Sequence, residues 1–523
     1  MRARTLPLLV FLVSCGVETS PSQTDADSVV TKPEDVPIPS ALLPKDKAWS
    51  PSLATLPDKG PVDGAYLSDV ESCGGCHPDV LAQQQASAHA FASFNNPIYR
   101  LAVSALRAEV GTKASRACAG CHDAALLVDG AMADEIQASD PRAHNGVSCR
   151  LCHGITNATH EGNGSYSVSE APIPLPATGD AESLARHKEA ARPPALSTLC
   201  GSCHQSFLSP ATGNRDVLPG QNELLAWSDS AYAGSGSARV DLVESKSCVQ
   251  CHMAKVPAPL SDAAADPEGK VSSHYFLGAH TWLAAMRGDD EQLSRTQAFL
   301  QDVASVDVVF REGRSGEVRF DAVIRNTSVG HRFPSGVRDA ANTWVEVDVL
   351  NAVGEVILRS ERGEQAHRLV AMMADKEGTL LETRQTHRFA ALVADHTIAP
   401  GDVAVTRYRG DLPRGATANA VRVKLVHQSR SPKLASATCA EARSSRGLAY
   451  RRARRSLGRS PLKGCAPQPQ TTIAEVTRSL GDRGSESFAR SYEHGLGLLH
   501  EVQERVEDAR PSLQHALRLS AGK

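Results

Sequence analysis

Residues 71–80 read ESCGGCHPDV, with two cysteines three positions apart and a histidine directly after the second. The same C-x-x-C-H motif occurs five times, as Cys73/Cys76/His77, Cys118/Cys121/His122, Cys149/Cys152/His153, Cys200/Cys203/His204 and Cys248/Cys251/His252. With 13 Cys and 19 His in 523 residues, chance alone predicts about 0.01 copies. The motif is typical of haem c attachment, in which two thiols bind one edge of a porphyrin and the next histidine binds the iron. The sequence therefore predicts five covalently bound haem c groups.

Two other chemistries use closely spaced cysteines, and both fit the pattern less well. Paired C-x-x-C motifs bind zinc in tetrahedral sites, but zinc does not require a histidine after every second cysteine, and five motifs leave one unpaired. A redox dithiol of the thioredoxin kind needs one or two copies and leaves the following residue free to vary. Haem is therefore the preferred interpretation.

The N-terminus has the pattern of a bacterial export signal. Residues 1–15 begin with Arg2 and Arg4, continue as the apolar stretch LPLLVFLV and end in LVSC, which resembles a lipobox with Cys15 as the acylated residue. An ordinary secretory signal cleaved nearby is the alternative. Residues 16–62 are predicted to be a disordered tether, because they are rich in Pro, Ser, Asp and Lys with little apolar periodicity. These features predict a lipid-anchored protein of the cell envelope, on the periplasmic or surface face of a membrane that is expected to be the outer one.

Composition narrows the class of partner and the number of domains. A net charge of −3 gives no bulk electrostatic reason to expect nucleic acid as a partner. A chain of 523 residues exceeds the usual size of one hydrophobic core, so more than one domain is expected. Aromatic residues are only 4% of the chain, which fits a region in which haem faces replace much of the side-chain core.

The periodicity divides the chain into successive regions. A mostly helical and irregular pentahaem cytochrome c domain is predicted for residues 63–300. Alternating apolar residues then predict an antiparallel β-sandwich-like domain over residues 301–430, with Trp344 and Val347 in its core. Residues 431–470 are predicted to be a basic loop closed by a disulfide, and residues 471–523 to be C-terminal helices, since both IAEVTRSL and the stretch after it carry helical spacing. The fold class is thus multidomain.

Cys439 and Cys465 remain after ten cysteines are assigned to haem and Cys15 to lipid. In an oxidising compartment they are expected to form a disulfide. Seven arginines lie between them, which could form a basic patch for an acidic partner or for haem propionates, or only a solvated loop; the loop is the preferred interpretation.

The remaining histidines are candidates for the second axial position of each haem iron. Methionines are few, whereas several histidines lie close to the motifs in sequence. The stronger candidates are His89, His187, His274, His280 and His331, and the weaker ones are His144 and His160.

Several stretches resemble the multihaem c-type cytochromes related to hydroxylamine oxidoreductase and to the tetrahaem cytochrome that accepts its electrons. They are CGGCHPDVLAQQQASAHA, GVSCRLCHGI, LCGSCHQ, SCVQCHMAKV with SHYFLGAH, and GHRFPSG, within about residues 65–345. The resemblance implies that His89 is a distal haem ligand, and that the histidines of the last two phrases are ligands as well. The sequence has no C-x-x-C-K motif of the kind that marks pentahaem nitrite reductases, and its five motifs are fewer than the octahaem oxidoreductases carry.

The sequence therefore predicts a pentahaem cytochrome that transfers electrons between redox proteins of the envelope, through haems with two histidine ligands. The alternative is a multihaem oxidoreductase or reductase that acts on a small nitrogen or sulfur oxyanion at one open haem. In a third hypothesis the sandwich domain makes the protein mainly a binding or assembly module. The number of high-spin irons separates the first two, because two strong axial ligands exclude a substrate from the metal.

Overall fold

The computed structural model describes residues 48–234, 244–481, 487–500 and 506–520, all within one unit, Pro37–Lys523. The predicted export signal with Cys15, and residues 16–47 of the predicted tether, lie outside the described residues. Within the described ranges, no helix combines the length and the apolar character needed to cross a bilayer.

Helices dominate the first half of the described chain, and long strands occur only in the second half. The helices are α1 (Gly64–Ser68), α2 (Glu71–Gly74), α3 (Pro78–Ala86), α4 (Pro97–Val110), α5 (Arg116–His122), α6 (Ala124–Val128), α7 (Cys149–Gly154), α8 (Ala181–Ala190), α9 (Leu196–His204), α10 (Glu223–Ser228), α11 (Cys248–His252), α12 (Thr281–Arg287), α13 (Asp290–Phe299), α14 (Pro432–Arg443), α15 (Ser445–Ser456), α16 (Phe488–Leu499) and α17 (Val506–Ser520). The strands are β1 (Ile155–Ala158), β2 (Tyr166–Val168), β3 (Gln205–Leu208), β4 (Leu218–Asn222), β5 (Lys255–Pro257), β6 (Lys270–Ser272), β7 (Ala304–Phe310), β8 (Glu317–Asn326), β9 (Asn342–Leu350), β10 (Val356–Arg359), β11 (Arg368–Leu369), β12 (Ala371–Ala374), β13 (Ala391–Asp395), β14 (Val403–Asp411), β15 (Ala420–Gln428) and β16 (Thr471–Ser479).

The region of the five motifs consists of short helices, loops and two-stranded hairpins. Its longest helix, α4, begins where Asn96 accepts a hydrogen bond from the N–H of Ile98 and Pro97 occupies the first turn, both of which favour a helix start. The helix ends at Gly111, whose φ of 104° is favourable for glycine. Two of the hairpins, β1–β2 and β3–β4, follow directly on motif-bearing helices, so each chain reversal holds a motif in place.

The tether prediction is wrong for residues 48–62. Ala54, Leu56 and Val62 are buried in the hydrophobic core of the motif region. The N–H of Leu53 donates to the carbonyl of Asn163, and that of Thr55 to the carbonyl of Tyr166. A few apolar residues in a segment rich in Pro and Ser suffice to bury it as an extended strap, which composition alone does not reveal.

The second half contains the predicted antiparallel strands. A five-stranded sheet has the order β10-β9-β15-β16 with β11 also paired to β9, and a three-stranded sheet has the order β14-β8-β7. Val345 lies opposite Leu425 across the β9–β15 ladder. The two sheets share one core that includes Val308, Ile324 and Val423. Trp344 and Val347 are buried as expected.

The structure corrects two predictions that follow the sandwich. Residues 431–470 are not a loop, because they contain α14 and α15, and Ser431 caps α14 by accepting the N–H of Leu434. These helices have a buried apolar side, formed by Leu434, Ala442 and Tyr450. The many arginines of the segment hide this apolar pattern in the sequence. A disulfide joins Cys439 to Cys465. The predicted C-terminal helical segment begins instead with β16, which pairs with β15, because a strand edge was available to satisfy its backbone.

Candidate haem sites

Each C-x-x-C-H motif coincides with a short helix or helical turn. The histidine that ends each motif is called its proximal histidine. Four of these five residues are the last or next-to-last residues of α5, α7, α9 and α11. The first motif spans α2 and the turn before α3. Residues three positions apart are neighbours on a helical turn, so the two thiols of each motif lie close together. Ser148 and Ser247 cap α7 and α11 just before the first cysteine. None of the ten cysteines of the motifs forms a disulfide with another residue of the described chain.

Cys76 differs in exposure from the other nine cysteines of the motifs. Its side chain is exposed, whereas the other nine thiols are partly buried. Cys76 lies in the turn between α2 and α3, and its carbonyl accepts the N–H of Ala263 at 2.9 Å, so the backbone is held while the side chain stays at the surface. A thioether forms at the edge of a porphyrin, and exposure at Cys76 therefore puts this edge of the first site at the protein surface. Haem attachment through Cys76, as through the other nine cysteines, stays a prediction.

The Nδ1 atoms of the proximal histidines are held by other groups. For three of them the partner is a backbone carbonyl: Nδ1 of His122 donates to Ala92 at 2.5 Å, that of His153 to Ala191 at 2.7 Å and that of His252 to Leu277 at 2.7 Å. Because a carbonyl only accepts, Nδ1 carries the proton and Nε2 keeps its lone pair, as a metal-binding imidazole requires.

The other two proximal rings have side-chain partners. Nδ1 of His77 lies 2.9 Å from Oδ1 of Asp262, and Nδ1 of His204 lies 3.1 Å from the side-chain amide of Gln221. Asp262 also accepts the N–H of Val80 and of Ala264, which fixes its orientation. A carboxylate behind the imidazole makes the ring a stronger ligand.

Four proximal histidines each have a second histidine ring at nearly the same separation. The ring centroids are 6.3 Å apart for His77 and His187, 6.4 Å for His153 and His274, 6.2 Å for His252 and His331, and 6.1 Å for His204 and His89. In the first three pairs the ring planes are within 22° of parallel, whereas the planes of His204 and His89 differ by 61°. Two imidazoles bound to one metal at about 2.0 Å, each with its centroid about 1.1 Å behind the nitrogen, would be about 6.2 Å apart. These pairs therefore fit a metal between them.

Three of the opposing histidines are also anchored through Nδ1. That of His187 donates to the carbonyl of Pro174 at 2.8 Å, that of His274 to Ser272 at 2.8 Å and that of His331 to Arg332 at 3.1 Å. Their Nε2 atoms are thus presented in the same way as those of the proximal rings. Such anchoring orients a ligand before the metal binds.

These rings are held in the neutral form, which suits metal binding. Burial lowers the pKa of His122, His153, His204, His252, His274 and His331, and it lowers the pKa of His89 to about 3. The neutral imidazole is the form that binds a metal ion.

The remaining predicted ligand, His280, lies close to the pair His204 and His89 and directly precedes α12. Desolvation by the surrounding protein lowers the pKa of His280 to about 3, with further contributions from Arg430 and His204. His280 in turn contributes to the lowered pKa of His89. The ring of His280 is not paired with a histidine of a motif in the described chain, so its role as a ligand stays a prediction.

His122 differs from the other proximal histidines. Among the described residues, its ring contact is with Tyr99, at 4.6 Å between centroids and 20° between planes. The hydroxyl of Tyr99 donates to Asp123 at 2.5 Å, and Ser93 donates to the other oxygen of that carboxyl group. Burial raises the pKa of Asp123 to about 7. No second histidine of the described chain lies at the 6.1–6.4 Å spacing from His122.

The weaker candidates do not face a proximal histidine. His144 is buried, its Nε2 donates to the carbonyl of Ala138 at 2.8 Å, and its ring packs on Tyr450. His160 is exposed and lies 3.3 Å from the hydroxyl of Thr198. Both are placed as ordinary packing or surface histidines.

The motifs are adjacent to one another in a defined order. The guanidinium of Arg150, within the third motif, donates to the hydroxyl of Ser72, directly before the first motif, at 2.6 Å, which places the first and third motifs side by side. A hydrogen bond with Cys203 raises the pKa of Cys121, and a hydrogen bond with Cys248 raises the pKa of Cys200. The two thiols of each pair therefore lie next to each other. The fourth motif therefore borders both the second and the fifth. Cys203 also raises the pKa of Cys152, after the larger effect of burial, which connects the third motif to the fourth.

Residues outside the motifs also shape these sites. Glu223 of α10 accepts the N–H of Gly336 at 2.6 Å and so ties the His331 loop to the motif region. Asp262 and Glu223 had no distinguishing signal in the sequence, because each acts across a large separation along the chain. Spacing around the motifs could not have identified them.

Comparisons with known proteins add one family and one structure. No curated protein matches the chain. The structure is similar to the crystal structure of a penta-heme cytochrome c552 from Thermochromatium tepidum, with 18% sequence identity, a TM-score of 0.49, and coverage of 79% of this chain and 100% of that chain. Residues 72–154 match the family described as cytochrome c554 and c-prime. This segment contains three of the five motifs together with His89, and its match supports a multihaem c-type cytochrome with covalently bound haem c.

Proposed function

We propose that the protein is a pentahaem c-type cytochrome that transfers electrons between redox proteins of the bacterial cell envelope. Haem c supplies reversible one-electron chemistry at iron. The observation that carries the proposal is the set of four histidine pairs with centroids 6.1–6.4 Å apart. Two imidazoles on one iron exclude a substrate from it and favour electron transfer over catalysis.

The protein residues contribute orientation and electrostatics. Backbone carbonyls and Asp262 hold the proximal rings through Nδ1, so little rearrangement accompanies a change of charge at the metal. The adjacency of the motifs gives electrons a continuous route, from the first through the third to the fourth, with the second and fifth beside the fourth. His331 belongs to the loop that follows β8, so the sandwich contributes a ligand as well as a scaffold.

The envelope location rests on the lipobox-like sequence that ends at Cys15. Acylation there would attach the protein to a membrane, and other envelope redox proteins would be its partners. The closer relation to hydroxylamine oxidoreductase and its electron acceptor is part of this proposal and rests on the quoted sequence phrases.

One observation favours the second candidate function. His122 faces Tyr99 and has no opposing histidine in the described chain, so the second site could leave one axial position for a small nitrogen or sulfur oxyanion. A carboxyl group with a pKa of about 7, Asp123, follows directly in the chain and could exchange protons near neutral pH.

An anaerobic redox titration of the purified holoprotein separates the two functions. Electron transfer alone predicts the uptake of five electrons per chain and no consumption of nitrite, hydroxylamine or sulfite by the reduced protein. Uptake of fewer than five electrons contradicts the pentahaem proposal. Multiple turnovers with one of these compounds would establish the oxidoreductase.

A further inference from the structure

We propose that the outer side of α15, together with Arg443 at the end of α14, docks an acidic one-electron carrier protein, and that Tyr450, Phe94 and Tyr99 connect this surface to the haem site at His122. The proposal rests on the electron-transfer function and adds the kind of partner and its point of entry. The basic face is defined as Arg443, Arg452 and Arg455, and the aromatic file as Tyr450, Phe94 and Tyr99.

The charge of this surface is strongly one-sided. Residues 442–474 contain eight arginines and lysines and no Asp or Glu, in a chain with a net charge of −3. All three residues of the basic face are exposed, and none forms an ion pair within the described ranges. By contrast, Arg446 pairs with Glu441 at 2.7 Å and Arg459 with Glu71 at 2.7 Å. Uncompensated positive charge attracts a negatively charged partner and orients it during encounter.

The inner side of the same helix begins the aromatic file. Tyr450 is buried, its hydroxyl donates to the carbonyl of Ile136 at 2.9 Å, and the guanidinium of Arg100 lies 4.7 Å above its ring. The centroid separations along the file are 6.4 Å from Tyr450 to Phe94, 5.3 Å from Phe94 to Tyr99 and 4.6 Å from Tyr99 to His122. The file is thus continuous from α15 to a proximal histidine.

The two features lie on opposite sides of one helix. Residues 448, 452 and 455 are exposed while Tyr450 and Arg454 are buried, so a partner on the basic face is separated from the aromatic file by about one helix diameter, roughly 10 Å. The disulfide from Cys439 to Cys465 and the ion pair of Glu441 with Arg100 at 3.0 Å fix this helical pair to α4. The surface is therefore rigid enough to present one docking geometry.

The reaction is a single electron transfer. The reduced cofactor of the partner would lose one electron and be oxidised, and a haem iron held by His122 would accept that electron and be reduced. No covalent bond forms or breaks, and no further reactant is needed. The aromatic side chains fill the space between the partner's cofactor and the haem site at His122 with closely packed protein atoms.

The test uses the holoprotein with reduced flavodoxin, an acidic one-electron donor, as the probe. The variant carries Arg443→Gln, Arg452→Gln and Arg455→Gln, and the matched control carries Arg314→Gln, Arg414→Gln and Arg510→Gln, three exposed arginines away from α15. At about 10 mM ionic strength the variant should accept electrons about tenfold more slowly in stopped-flow measurements and bind oxidised flavodoxin about tenfold more weakly. The difference should disappear near 1 M salt, and the control should match the unaltered protein. Equal rates and affinities for all three proteins would overturn the proposal.

The aromatic file has its own test. Phe94→Leu should leave the affinity for flavodoxin unchanged and slow the transfer rate at saturating flavodoxin severalfold, and Tyr450→Leu should do the same. Phe389→Leu, at another buried phenylalanine, is the control. An unchanged saturating rate in both file variants would overturn the route.

Two further outcomes separate the alternatives. Binding of the basic face to phosphatidylglycerol vesicles, with flavodoxin kinetics unaffected by the triple substitution, would assign this face to a membrane and overturn the partner proposal. Reduced methyl viologen, a cationic one-electron reductant of strongly negative potential, should reduce all variants at similar rates. If it does not reduce the unaltered holoprotein, the electron-transfer function itself fails.

Discussion

Replacing His331 by alanine should convert one haem of five from low spin to high spin. The rings of His331 and His252 are 6.2 Å apart and within 6° of parallel, so the substitution removes one of the two imidazoles at the fifth motif. The side chain of Asn326 donates to the carbonyl of His331 at 3.0 Å, and Phe333 pairs with Ile398 through two backbone hydrogen bonds of 2.8 Å. Because these contacts do not involve the imidazole, the loop should keep its course and only the ligand should be lost.

The expected change is therefore about one fifth of the total haem, in a protein with the other four sites unaltered. Quantitative electron paramagnetic resonance of the ferric protein measures it, against haem content from the pyridine haemochrome. Added imidazole should enter the space left by the side chain and restore the low-spin signal. His144→Ala is the matched control, since His144 is also buried but faces no proximal histidine. An unchanged spectrum for His331→Ala, or an equal change in the control, would refute the assignment.

Four other experiments test separate parts of the account. Cys15→Ala should release the protein from membranes into the soluble fraction, as measured by fractionation and immunoblotting; continued membrane attachment would argue against the lipobox. Replacing both Cys439 and Cys465 by serine should lower the free energy of unfolding by about 3.5 kcal/mol in denaturant titrations, and no loss would contradict a stabilising disulfide. Glu441→Gln leaves Arg100, whose side chain is 3% exposed, without its buried counter-charge and should lower that free energy by about 3 kcal/mol; Glu189→Gln, at an exposed pair, should change it by less than about 1 kcal/mol. Asp262→Asn weakens the acceptor behind His77 and should raise the reduction potential of one haem in a potentiometric titration, because a more basic imidazole favours ferric iron; five unchanged potentials would contradict that role.

The motifs and most of the sandwich could be predicted from the sequence because their signals are local. Each motif contains both thiols and the proximal histidine within five residues, and strands such as β8 and β15 show period-two alternation. Among the distal candidates, His187, His274, His331 and His89 face proximal histidines, although sequence alone could not assign them to particular motifs.

Other features depend on contacts between distant residues and had no local signal. The strap at residues 48–62 is held by a few buried side chains and by hydrogen bonds to Asn163 and Tyr166. β16 is a strand because β15 offers it an edge, although its own spacing suits a helix. The exposure of Cys76 follows from what packs around its turn, which the motif does not encode.

The pairing of the histidines also departs from the simplest expectation. Five histidine pairs would require one distal ligand for each motif. His280 instead lies beside the pair of His204 and His89, and His122 packs on Tyr99. Both placements depend on tertiary packing, so counting histidines along the sequence could not have revealed them.

The most direct test of the central claim is one measurement on the ferric holoprotein, in which the haem content per chain and the spin state of every haem are quantified together. Four histidine pairs and one unpaired His122 predict five haems, of which four are low spin and one is high spin. Fewer than five haems, zinc in place of iron, or more than one high-spin haem would contradict the account, and five low-spin haems would contradict the assignment of His122.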